Sequence, residues 1–276
     1  MICNYRSALI TGASAGLGVE FARQLLRLGV SELVLVARRE ERLLALREEL
    51  LASVAGKARV LVRVCDLESG EERQALVNWL AAEGVAPNLL VNNAGFGSVG
   101  EFLEQEPERQ VGMVQLNCVA PLELTGLLLP SMVASGSGAI LNVASTASFQ
   151  PLPYMSTYAA TKAFLLHYSL ALSKELEGSG VQILCVCPGP TRTEFHLAAG
   201  LPDKIDNLPA AKAEDVVRAA IAQLNGHSRL LVTGTLNRLL AGLARRLPLS
   251  LALWIAERTL RRYSNLSESR LRQRKS

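Results

Sequence analysis

Sulfur and imidazole are scarce in this chain. Its 276 residues include five cysteines, Cys3, Cys65, Cys118, Cys185 and Cys187, with no C-x-x-C pair among them. That usage argues against a disulfide scaffold and suits a reducing cytosol. Cys185 and Cys187 alternate along a predicted strand, share one face and are expected to be buried free thiols. The three histidines, His167, His196 and His227, lie far apart without metal-ligand spacing to a cysteine or carboxylate, so no metal site is expected. Nowhere do about 18 apolar residues run uninterrupted, and no membrane-spanning helix is expected. Met1–Tyr5 is too short to lead a secretory signal, because Ala8-Leu9-Ile10 already belongs to the first predicted strand.

What the chain does have is apolar mass and an uneven charge. Hydrophobic residues make up 49%, ample for one large core. The net charge is +4, yet residues 228–276 hold eleven Lys/Arg against two acids while the first 227 residues are net acidic. Such asymmetry marks the tail for a separate use.

Short apolar runs recur at residues 8–10, 33–36, 60–64, 89–91, 139–143, 183–186 and 230–232. Between them lie helix-length segments, such as 19–28 closing at Gly29 and 40–51 with Leu43, Leu44, Leu46 and Leu50 among charges. This alternation predicts an α/β fold, a parallel sheet with helices on both faces and the ligand beyond the carboxyl ends of the strands.

Three patterns carry chemistry. Thr11-Gly12-Ala13-Ser14-Ala15-Gly16-Leu17-Gly18 follows the first strand and opens the first helix. Glycines there allow a tight turn and let backbone amides approach a pyrophosphate; the alternative is a glycine-rich turn without a ligand. An NAD site would place an acid after the second strand. Here Ala37-Arg38-Arg39 stands instead, and Arg38 could pair with a 2′-phosphate, favouring NADP(H) over NAD(H), or simply be solvated. Tyr158-Ala-Ala-Thr-Lys162 sets a phenol and an ammonium on one helical face. A nearby cation is expected to lower the tyrosine from its ordinary value near ~10 toward neutrality; an amphipathic helix with a half-buried Tyr and a solvated Lys gives the same pattern.

In combination and order, these motifs resemble the short-chain dehydrogenase/reductase family over residues 5–235. Besides the glycine turn there are Asp66 after the third strand, Asn92-Asn93-Ala94-Gly95 after the fourth and Asn117 in a helix. Ser145 follows the fifth strand, Tyr158 stands thirteen residues later, and Pro188-Gly189 follows the sixth. The resemblance implies a single Rossmann-type doubly wound domain with seven parallel strands in the order 3-2-1-4-5-6-7. It implies a catalytic set of Asn117, Ser145, Tyr158 and Lys162: Tyr158 exchanges the proton with a carbonyl oxygen, Ser145 hydrogen-bonds that oxygen, Lys162 binds the nicotinamide ribose, and Asn117 holds a water in a proton relay. Cofactor contacts are implied for Gly12, Ser14, Ala15, Gly16, Leu17, Gly18, Arg38, Asp66, Leu67, Asn93, Ala94, Gly95, Tyr158, Lys162, Pro188, Gly189 and either Thr191 or Thr193. Read without the resemblance, Ser145 and Asn117 are structural polar residues, and Asp66 is the N-cap of the next helix, a role compatible with touching adenine. Leu17 stands where the family more often has Ile, a volume-conserving change. Ala15 stands where some NADP-dependent members carry a base.

The resemblance places a substrate-covering loop at residues 190–209, where Phe195, His196, Leu197, Leu201 and Leu208 suggest an apolar substrate; Phe96 and Phe149 could face the same pocket. Beyond the domain at 1–235, a helical extension at 236–262 is expected, with Leu236, Leu239, Leu240, Leu243 and Leu247 on one stripe, Arg238, Arg245 and Arg246 off it, and a second helix opening at Pro248. This extension could cover the cleft, contact another subunit or lie on an anionic membrane surface. Residues 263–276 are expected to be a disordered basic tail. No aromatic platform accompanies the arginines, which argues against nucleic-acid binding. The expectation is an NADP(H)-dependent oxidoreductase interconverting a hydrophobic ketone (3-oxoacyl or steroid-like) and a secondary alcohol, cytoplasmic or peripherally membrane-associated, and a homodimer or homotetramer. An NADP-binding sensor or scaffold docking through its tail is the alternative.

Overall fold

The structure is a computed structural model that describes residues 5–54, 58–195, 199, 210–224, 226, 228–244 and 246–261. Each predicted apolar run forms a strand: β1 Ser7–Thr11, β2 Glu32–Ala37, β3 Arg59–Val64, β4 Leu89–Asn92, β5 Gly138–Val143, β6 Val181–Cys187 and β7 Leu230–Val232. They join in one sheet of order β3-β2-β1-β4-β5-β6-β7, with every pairing parallel.

The runs are continuous rather than alternating because helices cover both faces. On one face Ile10, Leu33 and Leu35 meet Phe21 and Leu25 of α1 (Gly16–Arg27), Leu43 and Leu46 of α2 (Glu40–Ser53) and Val217 and Ile221 of α7 (Ala213–Leu224). On the other, Leu9, Val34 and Val36 meet Leu76 and Leu80 of α3 (Gly70–Ala82) and Leu124 and Leu128 of α5 (Ala120–Ser135). The twenty-residue α6 (Ser156–Glu175) packs Leu165 and Leu166 onto Cys185 and Cys187 of β6. Those two thiols lie 3.9 Å apart, buried and unbridged, as expected.

The chain crosses the sheet after β3, so β1 and β4 are neighbours whose carboxyl-end loops splay apart. That crevice is where a doubly wound sheet binds its ligand. Between β4 and β5 run α4 (Pro107–Val114), a π-turn at Gln115–Val119 and α5. Together, Pro107–Ser135 is long and apolar enough to cross a bilayer by length and composition, where no such helix was expected. It holds no uninterrupted apolar run of about 18 residues, since Glu108, Arg109 and Glu123 interrupt it, and the core helix of a globular protein has the same length and composition. Its inner face packs into the core through Leu124, Leu128 and Met132.

After β7 come α8 (Thr235–Ala244) and α9 (Leu249–Leu260), the latter with Pro248 as its N-cap. His196, Leu197, Leu201 and Leu208 of the loop, and the tail at 263–276, lie outside the described residues, as do Cys3, His227 and Arg245.

Candidate active site

The glycine turn and the β4 loop are built against each other. Thr11 Oγ1 donates to Val91 O (3.2 Å) and accepts from the amides of Asn93 and Ala94 (both 3.0 Å). Asn93 Nδ2 returns a bond to Thr11 O at 2.9 Å. This lacing leaves no room for side chains. Gly12 has φ +66°, and a Cβ there would stand 2.9 Å from Asn93 Nδ2 and Ala94 Cα; a Cβ on Gly18 would collide with the Gly12 carbonyl. Gly16 faces Thr193, and Leu17 packs on the core. Ala15 is the N-cap of α1 and supplies no side-chain cap, nor is there an acid in the first turn. Opening amides of a helix left this way are a ready anion site.

Basic residues gather beside that turn. Arg38 Nη1 pairs with Glu68 (3.2 Å) and approaches Asp66 (3.8 Å). Arg39 reaches into the turn itself: its Nε donates to Ser14 Oγ at 3.1 Å and its Nη1 to Glu194 at 3.0 Å. Arg42 holds the same Glu194 carboxylate at 2.6 Å, and both arginines pull Glu194 below its ordinary carboxylate range. A glycine cradle and open helix amides, with arginines beside them, fit a dinucleotide. Arg39 and Arg42 carried no role in the sequence because their reach depends on the fold of α2. Asp66 departs from its alternative reading: Ser69 is the N-cap of α3, accepting from Glu72 N. Asp66 Oδ1 instead accepts from Glu68 N at 3.1 Å, closing a short turn two residues on. Leu67 is buried, and its carbonyl accepts from Arg73 at 2.6 Å.

Across the crevice lie the four residues of the implied catalytic set. Tyr158 and Lys162 are both buried on α6. Lys162 Nζ donates to Val143 O at 2.9 Å, at the end of β5. Gly95 stands against both Lys162 Nζ and Asn117 Oδ1. Asn117 sits in the π-turn, where its Nδ2 donates to Phe96 O (2.9 Å) and Thr161 Oγ1 (3.0 Å). A π-turn widens the helix locally and is common at functional sites. Ser145 is the N-cap of a 3₁₀ turn at Thr146–Phe149, accepting from Ala147 N at 3.1 Å, and its hydroxyl lies near enough to the Tyr158 hydroxyl to favour its ionised form.

The expected lowering of Tyr158 by Lys162 is not found. Burial pushes the Tyr158 hydroxyl up to about 12, with the Ser145 hydroxyl pulling partly back. Burial also draws Lys162 down to about 8. Desolvation of both groups outweighs their attraction, and the Lys162 ammonium is turned to a backbone carbonyl, 5.9 Å from the tyrosine ring centre.

Beyond β6, Pro188 O accepts from Thr146 N (2.9 Å) and ties the turn to Ser145's loop. Gly189 lies tight against Asn237 of α8. Thr191 Oγ1 donates back to Gly189 O at 2.9 Å, whereas Thr193 faces Gly16 across the crevice. The Phe195 ring lies tilted by 46° against that of Tyr158, centroids 5.4 Å apart. With Met113, Met155, Phe96, Leu152 and Leu260 of α9 it makes an apolar wall around the phenol. Phe149, expected at this pocket, packs instead with Leu165, Cys185 and Cys187. Leu260 itself was not singled out in the sequence, although covering the cleft was one of the three uses open to the extension.

Comparison with known proteins agrees with this geometry. A family model described as short chain dehydrogenase matches residues 6–200. A ketoacyl reductase of Nostoc sp. is 35% identical over 224 residues, 78% of this chain and 75% of the relative. A very-long-chain 3-oxoacyl-CoA reductase of Pyrenophora tritici-repentis is 35% identical over 181 residues, 65% of this chain and 53% of the relative. The chain thus spans about half the length of such 3-oxoacyl-CoA reductases. Among solved structures, a short-chain dehydrogenase from Sphingobium yanoikuyae in complex with NADPH superposes with a TM-score of 0.77 at 32% identity, covering 88% of this chain and 96% of that one. The chain belongs to the short-chain dehydrogenase family. Relatives in this family are named as reductases and dehydrogenases, and the Sphingobium structure holds NADPH.

Proposed function

We propose that this protein is an NADP(H)-dependent carbonyl reductase that interconverts a hydrophobic ketone and its secondary alcohol. One observation carries the reading: Tyr158, beside Ser145 and one turn from buried Lys162, opens onto an apolar wall. Bound nicotinamide would supply or accept the hydride. Tyr158, protonated at neutral pH, gives its proton to the substrate oxygen, and Ser145 Oγ donates a hydrogen bond to the charge developing there. Lys162, charged below about pH 8, would hold the ribose of the bound nucleotide and steady that charge. Asn117 links this group to solvent through a held water.

Arg38 and Arg39 just after β2, with Arg42 in the first turn of α2, favour a 2′-phosphate, hence NADP(H) over NAD(H). The NADPH complex of the Sphingobium relative supports this choice. Relatives named as 3-oxoacyl-CoA and ketoacyl reductases point to a 3-oxoacyl substrate class, and the apolar wall also suits a steroid-like ketone. Buried unbridged thiols at Cys65, Cys118, Cys185 and Cys187 suit a reducing cytoplasm. Exposed apolar residues on α5 and α6, among them Leu122 and Phe164, suit a homodimer or homotetramer. Screening ketones and 3-oxoacyl thioesters for NADPH consumption tests the reading; turnover of long-chain ketones abolished in Tyr158→Phe supports it, and consistent silence across the panel removes it.

A further inference from the structure

The last two helices are amphipathic in the wrong sense for a soluble surface. On α8, Ala241 faces the body, while Leu236, Leu239, Leu240 and Leu243 are 53–72% exposed on the opposite stripe. On α9, Ala252 and Ala256 face inward, and Leu251, Trp254 and Ile255 face out, Trp254 at 56% exposure. Four exposed leucines on one stripe of α8, with Leu251, Trp254 and Ile255 exposed on the following helix, mark an interaction surface rather than scattered exposed residues.

Charge selects the partner. Residues 235–261 carry Arg238, Arg245, Arg246, Arg258 and Arg261 against one acid, Glu257, and that acid pairs with Arg261 at 3.5 Å. Arg258 lies over the Trp254 ring at 5.6 Å, so a cation and an amphipathic ring leave the helix side by side. A symmetric contact with a second copy through this face would set arginines against arginines with no free acid between them. An anionic lipid surface instead accepts leucines and tryptophan below its headgroups and arginines among them.

We propose that α8 and α9 dock this protein peripherally on an anionic phospholipid bilayer. The inner side of α9 makes docking relevant to the site: Leu260, at its end, packs into the apolar wall around Tyr158. One helix therefore touches the bilayer on one side and the wall of the cleft on the other. Docking is independent of the proposed reaction, since it is read without turnover.

The test uses the full chain in a Trp79→Phe background, so that Trp254 is the sole tryptophan, with phosphatidylcholine vesicles alone or containing about one third phosphatidylglycerol. Expected are co-sedimentation at least about tenfold stronger with the anionic vesicles and a blue shift of Trp254 emission. Leu239→Asp/Leu243→Asp, which leaves the tail and the arginines in place, is expected to reduce binding about tenfold or more without changing the thermal melt. Three results would overturn the proposal: no preference for anionic vesicles; unchanged binding by the double variant, which would assign attachment elsewhere; or a dimer dispersed by the same substitutions in a protein that ignores lipid, which would give the face to a second copy.

Discussion

Tyr158 and Lys162 pull the expected acid–base logic in opposite directions. With the phenol near 12 it is protonated at every working pH and suited to give a proton, while the ammonium near 8 limits the useful range. The reductive rate is therefore expected to be level below neutrality and to fall as pH rises through about 8; a pH profile with NADPH that climbs steadily past pH 9 would contradict this. The same burial makes Lys162 a stability liability. Its folded pKa lies below its unfolded one, so the unfolded chain binds the extra proton between about pH 8 and 10.5 and stability rises with pH across that window. Lys162→Met is expected to stabilise the fold at pH 7 by about 2 kcal/mol, after the lost bond to Val143 is counted. The gain should fade above pH 8 in thermal melts while activity is lost throughout. For cofactor choice, Arg39→Asp is expected to shift the NADPH/NADH ratio of kcat/KM toward NADH by about tenfold or more, and further than Arg38→Asp, because Arg39 alone reaches Ser14. Arg38 was legible in the sequence as the residue after β2; Arg39 and Arg42 were not, since their targets, Ser14 and Glu194, come from distant loops.

Elements show where local pattern suffices. The glycine turn was readable because its spacing states its constraint. Gly18→Ala would force its Cβ onto the Gly12 carbonyl and is expected to destabilise the fold by about 2–4 kcal/mol, with NADPH binding lost even where the chain still folds. A denaturant titration with and without NADPH checks both. The π-turn at Asn117 was not read from the sequence, although Pro121, four residues on, breaks the helical signal there; the turn is held by Asn117 bonds to Phe96 and Thr161. The return of α9 to the cleft was one of three uses the sequence left open, and it depends on Leu260 meeting the Met113 and Met155 cluster. Leu260→Ala is expected to raise KM for a bulky ketone several-fold while leaving the NADPH dissociation constant unchanged.

At the scale of the whole molecule, alternating apolar runs and helical stretches stated the doubly wound plan. The strand order came through the family resemblance rather than from periodicity, and all six pairings of the seven strands follow it. A parallel sheet buried on both faces writes itself as continuous apolar runs, so the architecture survives without knowledge of any contact. What does not survive is the balance of desolvation against charge at Tyr158, which depends on every group packed around it. The central claim is that this assembly reduces a hydrophobic ketone through Tyr158. Its most direct test is a panel of hydrophobic ketones and 3-oxoacyl thioesters assayed with NADPH on the parent protein and on Tyr158→Phe. The expected result is turnover in the parent and a loss of kcat of about a thousandfold in the variant, with NADPH binding within about twofold of the parent. Turnover retained in Tyr158→Phe would contradict it.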